Sequence, residues 1–203
     1  MKFRFKELLH ELKHHAPFTA FASIIAILIV LLIQYYFNKS ISENLFDIFH
    51  PVHIIASSMV TAGIFYKYKP NIFYATLVGI SGAIILGSLS DIIIPWLGGN
   101  LLTINTTFHL PLIEEPLIIL VAAFIGSSIG IATKTTKIPH FTHVFLSVFA
   151  SLFYLLAFGS GISFFYFVAV FFIVLIAVII PCCVSDILFP FLFLKEKIKH
   201  CNC

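Results

Sequence analysis

The chain alternates between long apolar runs and short polar connections. Six apolar runs cover about residues 16–37, 50–66, 71–97, 109–133, 140–158 and 162–194. Runs of this length suit helices that cross a hydrocarbon core about 30 Å thick. Lipid offers no partner for an unpaired backbone amide, so each run must satisfy its own amides as a helix. The pattern predicts an all-α, polytopic membrane protein with six transmembrane helices.

The composition agrees with a chain whose main solvent is lipid. Hydrophobic residues make up 60% of the sequence and charged residues only 10%. A soluble domain carries about 25% charged residues to cover its surface. The formal net charge of +3 is small and concentrated near the chain ends, which does not indicate nucleic acid as a partner. The lipid bilayer is the predicted partner.

The basic residues predict the orientation of the bundle. All Lys and Arg residues except Lys39 lie before the first run, after the sixth, or in the connections on the same side as the termini. The positive-inside rule therefore places both termini in the cytoplasm of a cell (plasma or inner) membrane. Residues 1–15 are predicted as an interfacial amphipathic helix, 98–108 as an external loop and 195–203 as a cytoplasmic tail.

A sparse pattern recurs in the two halves of the chain, residues 16–97 and 109–194. Three motif pairs follow each other in the same order: His15-Ala-Pro17 with His109-Leu-Pro111, His50-Pro-Val-His53 with His140-Phe-Thr-His143, and Ser90-Asp91 with Ser185-Asp186, each followed by a proline. Each half holds three predicted helices, an odd number, so the second half must be inserted upside down. Such 3+3 inverted repeats are typical of secondary transporters.

The predicted topology sorts the polar residues into two clusters, one at each membrane face. The outer cluster contains His50, His53, Asp91, His109, Glu114 and Glu115, and the inner cluster contains His15, His140, His143, Cys182 and Asp186. The i,i+3 spacing places both histidines of a pair on one helix face. Imidazoles with a carboxylate suit a divalent transition metal (Zn, Mn, Fe, Ni or Co) rather than Ca or Mg. These eleven residues are the predicted metal ligands.

Structural explanations stand beside the metal hypothesis. A single histidine at a helix end can lie in the headgroup region without a role, and a buried cysteine such as Cys182 usually serves packing. One of Glu114 and Glu115 can face the headgroups while the other faces the bundle. The paired histidines and their repetition favour the metal hypothesis.

Ala122, Gly126 and Gly130 share one stripe of the fourth run, which predicts a close contact between helices.

Part of this pattern resembles a family of small inner-membrane metal-dependent hydrolases, the LexA-binding membrane-associated group. That family has a His near its first span, a Pro-Asp-x-Asp turn, a His-Arg-Gly-x-Thr-His motif and a His-x-x-x-Asp before a proline. His53, the Asp91 turn, His140-Phe-Thr-His143 and Cys182-x-x-x-Asp186 follow in the same order, with one Asp where two are expected, no Arg-Gly, and Cys182 in place of a His. The resemblance implies a membrane-embedded metal site and hydrolysis of lipids or phosphoesters.

Three functions therefore compete. A divalent transition-metal transporter or permease, expected as a homodimer, accounts for the repeat and for one cluster at each face. A metal-dependent hydrolase needs a single closed site with an open metal position and a carboxylate that activates water. A structural or regulatory membrane protein is expected if neither cluster binds metal. The transporter is the preferred hypothesis.

Overall fold

The structure is a computed structural model that describes residues 5–37, 41–134, 137–160, 166–183 and 189–193. Side chains are described throughout these ranges except at residues 5–12, 14, 15, 37, 137–141, 183 and 191. The regular elements in these ranges are all helices: α1 (Phe5–Phe37), α2 (Glu43–Tyr68), α3 (Ile72–Ser88), a π-helical segment (Leu89–Ile93), α4 (Ile94–Leu101), α5 (Pro111–Glu114), α6 (Pro116–Thr133), α7 (Lys137–Phe158), α8 (Tyr166–Cys183) and α9 (Phe189–Leu192). The all-α prediction is confirmed for the described part of the chain.

Four stretches among the described residues are long and apolar enough to cross a membrane: Ala16–Tyr36, Glu43–Tyr68, Ile72–Leu101 and Pro116–Thr133. The predicted fifth and sixth spans correspond to the shorter apolar helices Thr142–Phe158 and Tyr166–Cys182. The chain thus has the helices of an integral membrane protein. Six spans and the inverted repeat stay predictions.

Two helices begin earlier than the apolar pattern predicted. Helix α2 begins at Glu43 rather than near His50. Its first two turns are amphipathic, because Phe46 and His50 are buried while Glu43, Asn44, Asp47 and Ile48 are exposed. Helix α7 begins at Lys137 rather than at His140. The histidines of the two pairs therefore lie within their helices, with His53 about three turns after the start of α2. This shift decides where the functional side chains meet.

The third predicted span is one continuous helix that contains a π-helical turn in its second half. Between α3 and α4 the backbone widens over Leu89–Ile93, where the N–H of Ile94 donates to the carbonyl oxygen of Leu89, five residues earlier. Such π-helical turns inside α-helices occur often at functional sites. This one contains Asp91.

Helix α2 lies at the centre of the bundle and packs against α3, α6 and α7. It approaches α6 very closely, because a Cβ atom at Gly126 would overlap the carbonyl oxygen of Ile55, and one at Gly130 would overlap that of Met59. Only glycine permits this separation. The close helix contact predicted for Ala122, Gly126 and Gly130 is confirmed, since all three are buried.

The opposite side of α6 is strongly apolar and exposed. Leu117, Ile118, Leu120, Val121, Phe124 and Ile125 all lie on the surface there. An exposed apolar face of this extent is unusual for a soluble monomer and suits contact with lipid. The buried glycine face and the exposed apolar face together orient α6 between the bundle and the membrane.

Candidate metal centre

The centre of the candidate site is the carboxylate of Asp91, which binds two histidines through one oxygen. The Nδ1 atoms of His50 and His53 lie 2.8 and 2.7 Å from Asp91 Oδ2. The i,i+3 spacing on α2 directs both rings to the same side of that helix. The π-helical turn carries Asp91 on the neighbouring span. All three side chains are buried.

The second oxygen of the same carboxylate accepts hydrogen bonds from two hydroxyl groups. Ser90 Oγ lies 2.7 Å and Ser147 Oγ lies 2.9 Å from Asp91 Oδ1. Ser151, one turn further along α7 than Ser147, donates to the carbonyl oxygen of Ser90 at 3.0 Å. Among the described residues, four donors thus surround the carboxylate, which is the environment of an acceptor-only, ionised group.

This arrangement fixes the tautomer of both histidines. Because an ionised carboxylate can only accept, the hydrogen of each neutral imidazole must be on Nδ1. Each Nε2 then carries a lone pair, and both Nε2 atoms are buried with no hydrogen-bond partner among the described residues. An unsatisfied buried polar atom costs about 1–3 kcal/mol. An imidazole that donates through one nitrogen to a carboxylate and offers the other is the usual arrangement of a metal ligand.

His53 also contacts a second group of ligand-type side chains. Its ring stacks on the ring of His143 of α7, with centroids 5.7 Å apart and planes 5° from parallel. One ligand atom from each of His53, His143 and Cys182 lies within 4.8 Å of the other two. Cys182 comes from the end of α8 and is also buried. His53, His50 and Asp91 form a group that meets the same distance limit. His53 therefore joins both groups into one site.

The donor set of this joined site is nitrogen and sulfur with a carboxylate nearby. Imidazole and thiolate suit Zn and the neighbouring divalent transition metals, whereas Ca and Mg prefer oxygen ligands. The residues present therefore fit the metal class predicted from the sequence.

The expectation of two clusters at opposite membrane faces is wrong for the described residues. His143 and Cys182, assigned to the inner cluster, lie against His53, assigned to the outer one. The physical reason is the earlier start of α2 and α7. Each histidine lies inside its helix, so the rings meet in the interior of the bundle.

His109 and Glu114 form a separate group nearer the surface. His109 Nδ1 lies 2.9 Å from Glu114 Oε2, and His109 Nε2 lies 3.5 Å from Asp47 Oδ1. Both carboxylates are about half exposed. Glu115 is exposed at the start of α6. Of the other predicted ligands, the side chains of His15 and His140, and the whole of Asp186, lie outside the described residues.

A buried aromatic ring lies between the surface group (His109, Glu114 and Asp47) and the candidate metal ligands. Phe46 stacks on His50, with centroids 5.3 Å apart, and meets the edge of His109 at 5.8 Å. Tyr154 and Phe158 surround the same ring at 5.2 and 5.6 Å. Phe46 is completely buried. Polar side chains thus lead from Asp47 and His109 near the surface to His50 in the interior, and the ring of Phe46 lies between the two histidines.

Sequence reasoning missed Asp47, Phe46 and the serines of the site. The repeat contains a pattern that could have indicated Ser147. Ser147 follows His143 by four residues, and Ser57 follows His53 by four residues, so the matched motif extends one helical turn further than the histidines. A serine at that spacing shares the helix face of the histidine, and Ser147 lies 2.9 Å from Asp91 Oδ1.

No protein-family model, curated protein or solved structure matches the chain. The function is therefore inferred from the side chains and their geometry.

Proposed function

We propose that this protein is a membrane transporter or permease for a divalent transition-metal ion, which binds at the buried site around His53. The observation that carries the proposal is the pair of buried Nε2 atoms of His50 and His53, which have no hydrogen-bond partner among the described residues. Asp91 holds both rings, and the imidazole of His143 and the thiol of Cys182 lie beside His53. Imidazole nitrogens left without a hydrogen-bond partner inside an apolar bundle are costly, and a metal ion that passes His50 and binds at His53 would satisfy them.

The depth of the site favours transport of an ion over chemistry on a larger molecule. The side chains of His50, His53, Asp91, His143 and Cys182 are 0–5% exposed. A bare ion can reach such a position through small movements of side chains or helices. A lipid or phosphoester would need a cleft of its own size beside the ligands. Complete burial is the geometry of an occluded ion.

The irregular backbone at Asp91 supports the same function. Secondary transporters place their ion sites near the bilayer midplane, on helices that are interrupted there. The π-helical turn widens the helix of the span Ile72–Leu101 without breaking it, at the residue that holds both histidines, and such turns occur often at functional sites. Under the proposal, the 3+3 inverted repeat and six spans give the protein two alternating accesses to this single site.

The surface group supplies an entrance in this proposal. Asp47 and Glu114 attract cations from the solvent, and His109 between them is a first ligand on the way inward. Phe46 separates His109 from His50 and acts as a gate, because an ion cannot pass while the ring fills the space between them.

Metal flux into proteoliposomes tests the proposed function. Purified protein in vesicles loaded with a metal-sensitive dye should give uptake of Zn²⁺ or Co²⁺ that exceeds the rate of empty vesicles. His53→Ala should abolish this uptake, whereas Ser128→Ala, on the exposed side of α6, should leave it unchanged. Both variants must be monodisperse and helical after purification. Wild-type protein that binds metal but gives no flux would exclude transport.

A metal-dependent hydrolase is the second candidate, and one observation favours it. His53, His143 and Cys182 provide three protein donors, which leaves a fourth position for water, as in catalytic zinc sites. The resemblance to inner-membrane metal-dependent hydrolases would imply the same chemistry. Release of a water-soluble product from a lipid substrate in detergent, dependent on Asp91 and His143, would establish this function. A protein that binds no metal at all would be structural or regulatory.

A further inference from the structure

We propose that the metal ion is bound by His53 Nε2, the imidazole of His143 and the Sγ atom of Cys182, and that Asp91 is a positioning residue rather than a ligand. This inference rests on the proposed metal binding and names the ligand set of that site. It combines residues from three helices, α2, α7 and α8, whose motifs the sequence assigned to different clusters.

Asp91 is unsuited to bind the ion directly because its acceptor positions are in use. Oδ2 receives the two imidazole groups at 2.7 and 2.8 Å, and Oδ1 receives the two serine hydroxyls at 2.7 and 2.9 Å. A metal at either oxygen would displace at least one of these donors. The same contacts hold the ring of His53 in the tautomer and orientation that a metal needs.

His53, His143 and Cys182 need only a small movement to close on an ion. Bond lengths of about 2.0–2.3 Å in a tetrahedral zinc site place the ligand atoms about 3.3–3.8 Å from one another. One ligand atom from each of the three side chains, a ring nitrogen of each histidine and the sulfur of Cys182, lies within 4.8 Å of the other two. Side-chain rotations that move the ligand atoms by about 1 Å would bring them to the spacing of a tetrahedral zinc site.

His50 shares the carboxylate but has a different environment. Its ring stacks on Phe46, on the side that leads to the surface group. We assign His50 to the path toward the site, and His53 to the site itself.

The charges select the class of ion. Metal binding requires the thiolate form of Cys182, so the thiol releases its proton when the ion binds. One thiolate and the nearby ionised carboxylate of Asp91 together balance a charge of +2 in the apolar interior. A buried ion needs such compensation. Two imidazoles and a thiolate prefer Zn²⁺ and Co²⁺ to Mn²⁺, Mg²⁺ or Ca²⁺.

Cobalt spectroscopy tests this ligand set on the full-length protein in detergent. The background carries Cys201→Ser and Cys203→Ser, so that tail thiols cannot contribute. Co²⁺ titrated into this protein should give a near-ultraviolet thiolate-to-cobalt charge-transfer band and the intense visible bands of a tetrahedral site. Cys182→Ser should lose the charge-transfer band, and the neighbouring Cys183→Ser should keep it. The reverse result for the two cysteines would overturn the inference.

Asp91→Asn separates a positioning residue from a ligand. The amide can still accept from both imidazoles, so the cobalt bands should keep their positions while the dissociation constant rises about 10–100-fold, as for other outer-shell partners. A changed visible spectrum in this variant would show that Asp91 binds the ion and would overturn the assignment. Co²⁺ binding by the wild type without any charge-transfer band would refute the ligand set but not the proposed metal binding. Absence of any Co²⁺ or Zn²⁺ binding would refute both.

Discussion

Replacement of Asp91 by alanine should destabilise the metal-free protein, by an amount that the hydrogen bonds of the site determine. The substitution removes the acceptor of four donors. The serine hydroxyls have other acceptors, since Ser90 Oγ also lies 3.0 Å from the carbonyl oxygen of Gly87 and Ser147 Oγ lies 3.2 Å from Ser90 Oγ. The two imidazoles lose the partner that holds their Nδ1 atoms. The uncompensated loss is therefore two buried donors.

Two unsatisfied buried donors cost about 2–6 kcal/mol at about 1–3 kcal/mol each. Removal of the charge recovers part of the desolvation energy of the carboxylate, so we expect Asp91→Ala to lower the free energy of unfolding by about 2–4 kcal/mol. Asp91→Asn should cost only about 1 kcal/mol. Its amide oxygen can accept from both imidazoles, while its NH₂ group donates to the serine hydroxyls, which can accept as well as donate.

The assay is denaturant-induced unfolding in mixed micelles with a chelator present, so that bound metal does not contribute to stability. Ser81→Ala on α3 is the matched control, because its hydroxyl is partly exposed and, within the described ranges, bonds to the preceding turn alone, at Leu77 and Val78. It should change the free energy of unfolding by less than about 0.5 kcal/mol. An Asp91→Ala protein as stable as the wild type, or more stable than Asp91→Asn, would refute the assigned hydrogen bonds.

Three further predictions follow from the gate, the helix contact and the topology. Phe46→Ala should raise both the association and dissociation rates of Co²⁺ in stopped-flow measurements with little change in affinity, whereas Phe49→Ala, which removes an equal ring on the same helix, should leave both rates unchanged. Gly126→Ala should lower the free energy of unfolding by about 1–3 kcal/mol, because the new methyl group overlaps the backbone of α2. In a cysteine-free protein in intact cells, a cysteine at the exposed position Asn105 should react with an impermeant reagent from outside, and one at Lys69 should not.

Each of these measurements has a result that contradicts its premise. Equal acceleration by Phe46→Ala and Phe49→Ala would indicate general loosening of the bundle and no gate. Unchanged stability of Gly126→Ala would mean that α2 and α6 are further apart than the structure shows. Labelling at Lys69 but not at Asn105 from outside would reverse the orientation that the basic residues predict.

The all-α membrane class of the protein and several side chains of its candidate metal site could be predicted from the sequence, because they depend on local properties. Continuous apolar runs require helices wherever lipid replaces water. The i,i+3 spacing in His50-Pro-Val-His53 places both rings on one helix face whatever the helix packs against. The stripe of Ala122, Gly126 and Gly130 likewise predicts close approach of a neighbour, without identifying α2 as that neighbour.

The composition of the site depends on contacts between distant residues, and only the tertiary structure decided it. The hydropathy pattern predicts a start of α2 near His50, because residues 43–49 mix polar and apolar positions and lack the continuous apolar character of a transmembrane segment. The helix begins earlier, at Glu43, so that His53 lies inside the bundle and against His143 and Cys182. Neither the direction of a helix axis nor the packing partner of a face is encoded in spacing. The sequence therefore determined which side chains are candidate metal ligands, whereas the packing of α2, α7 and α8 decided which of them meet.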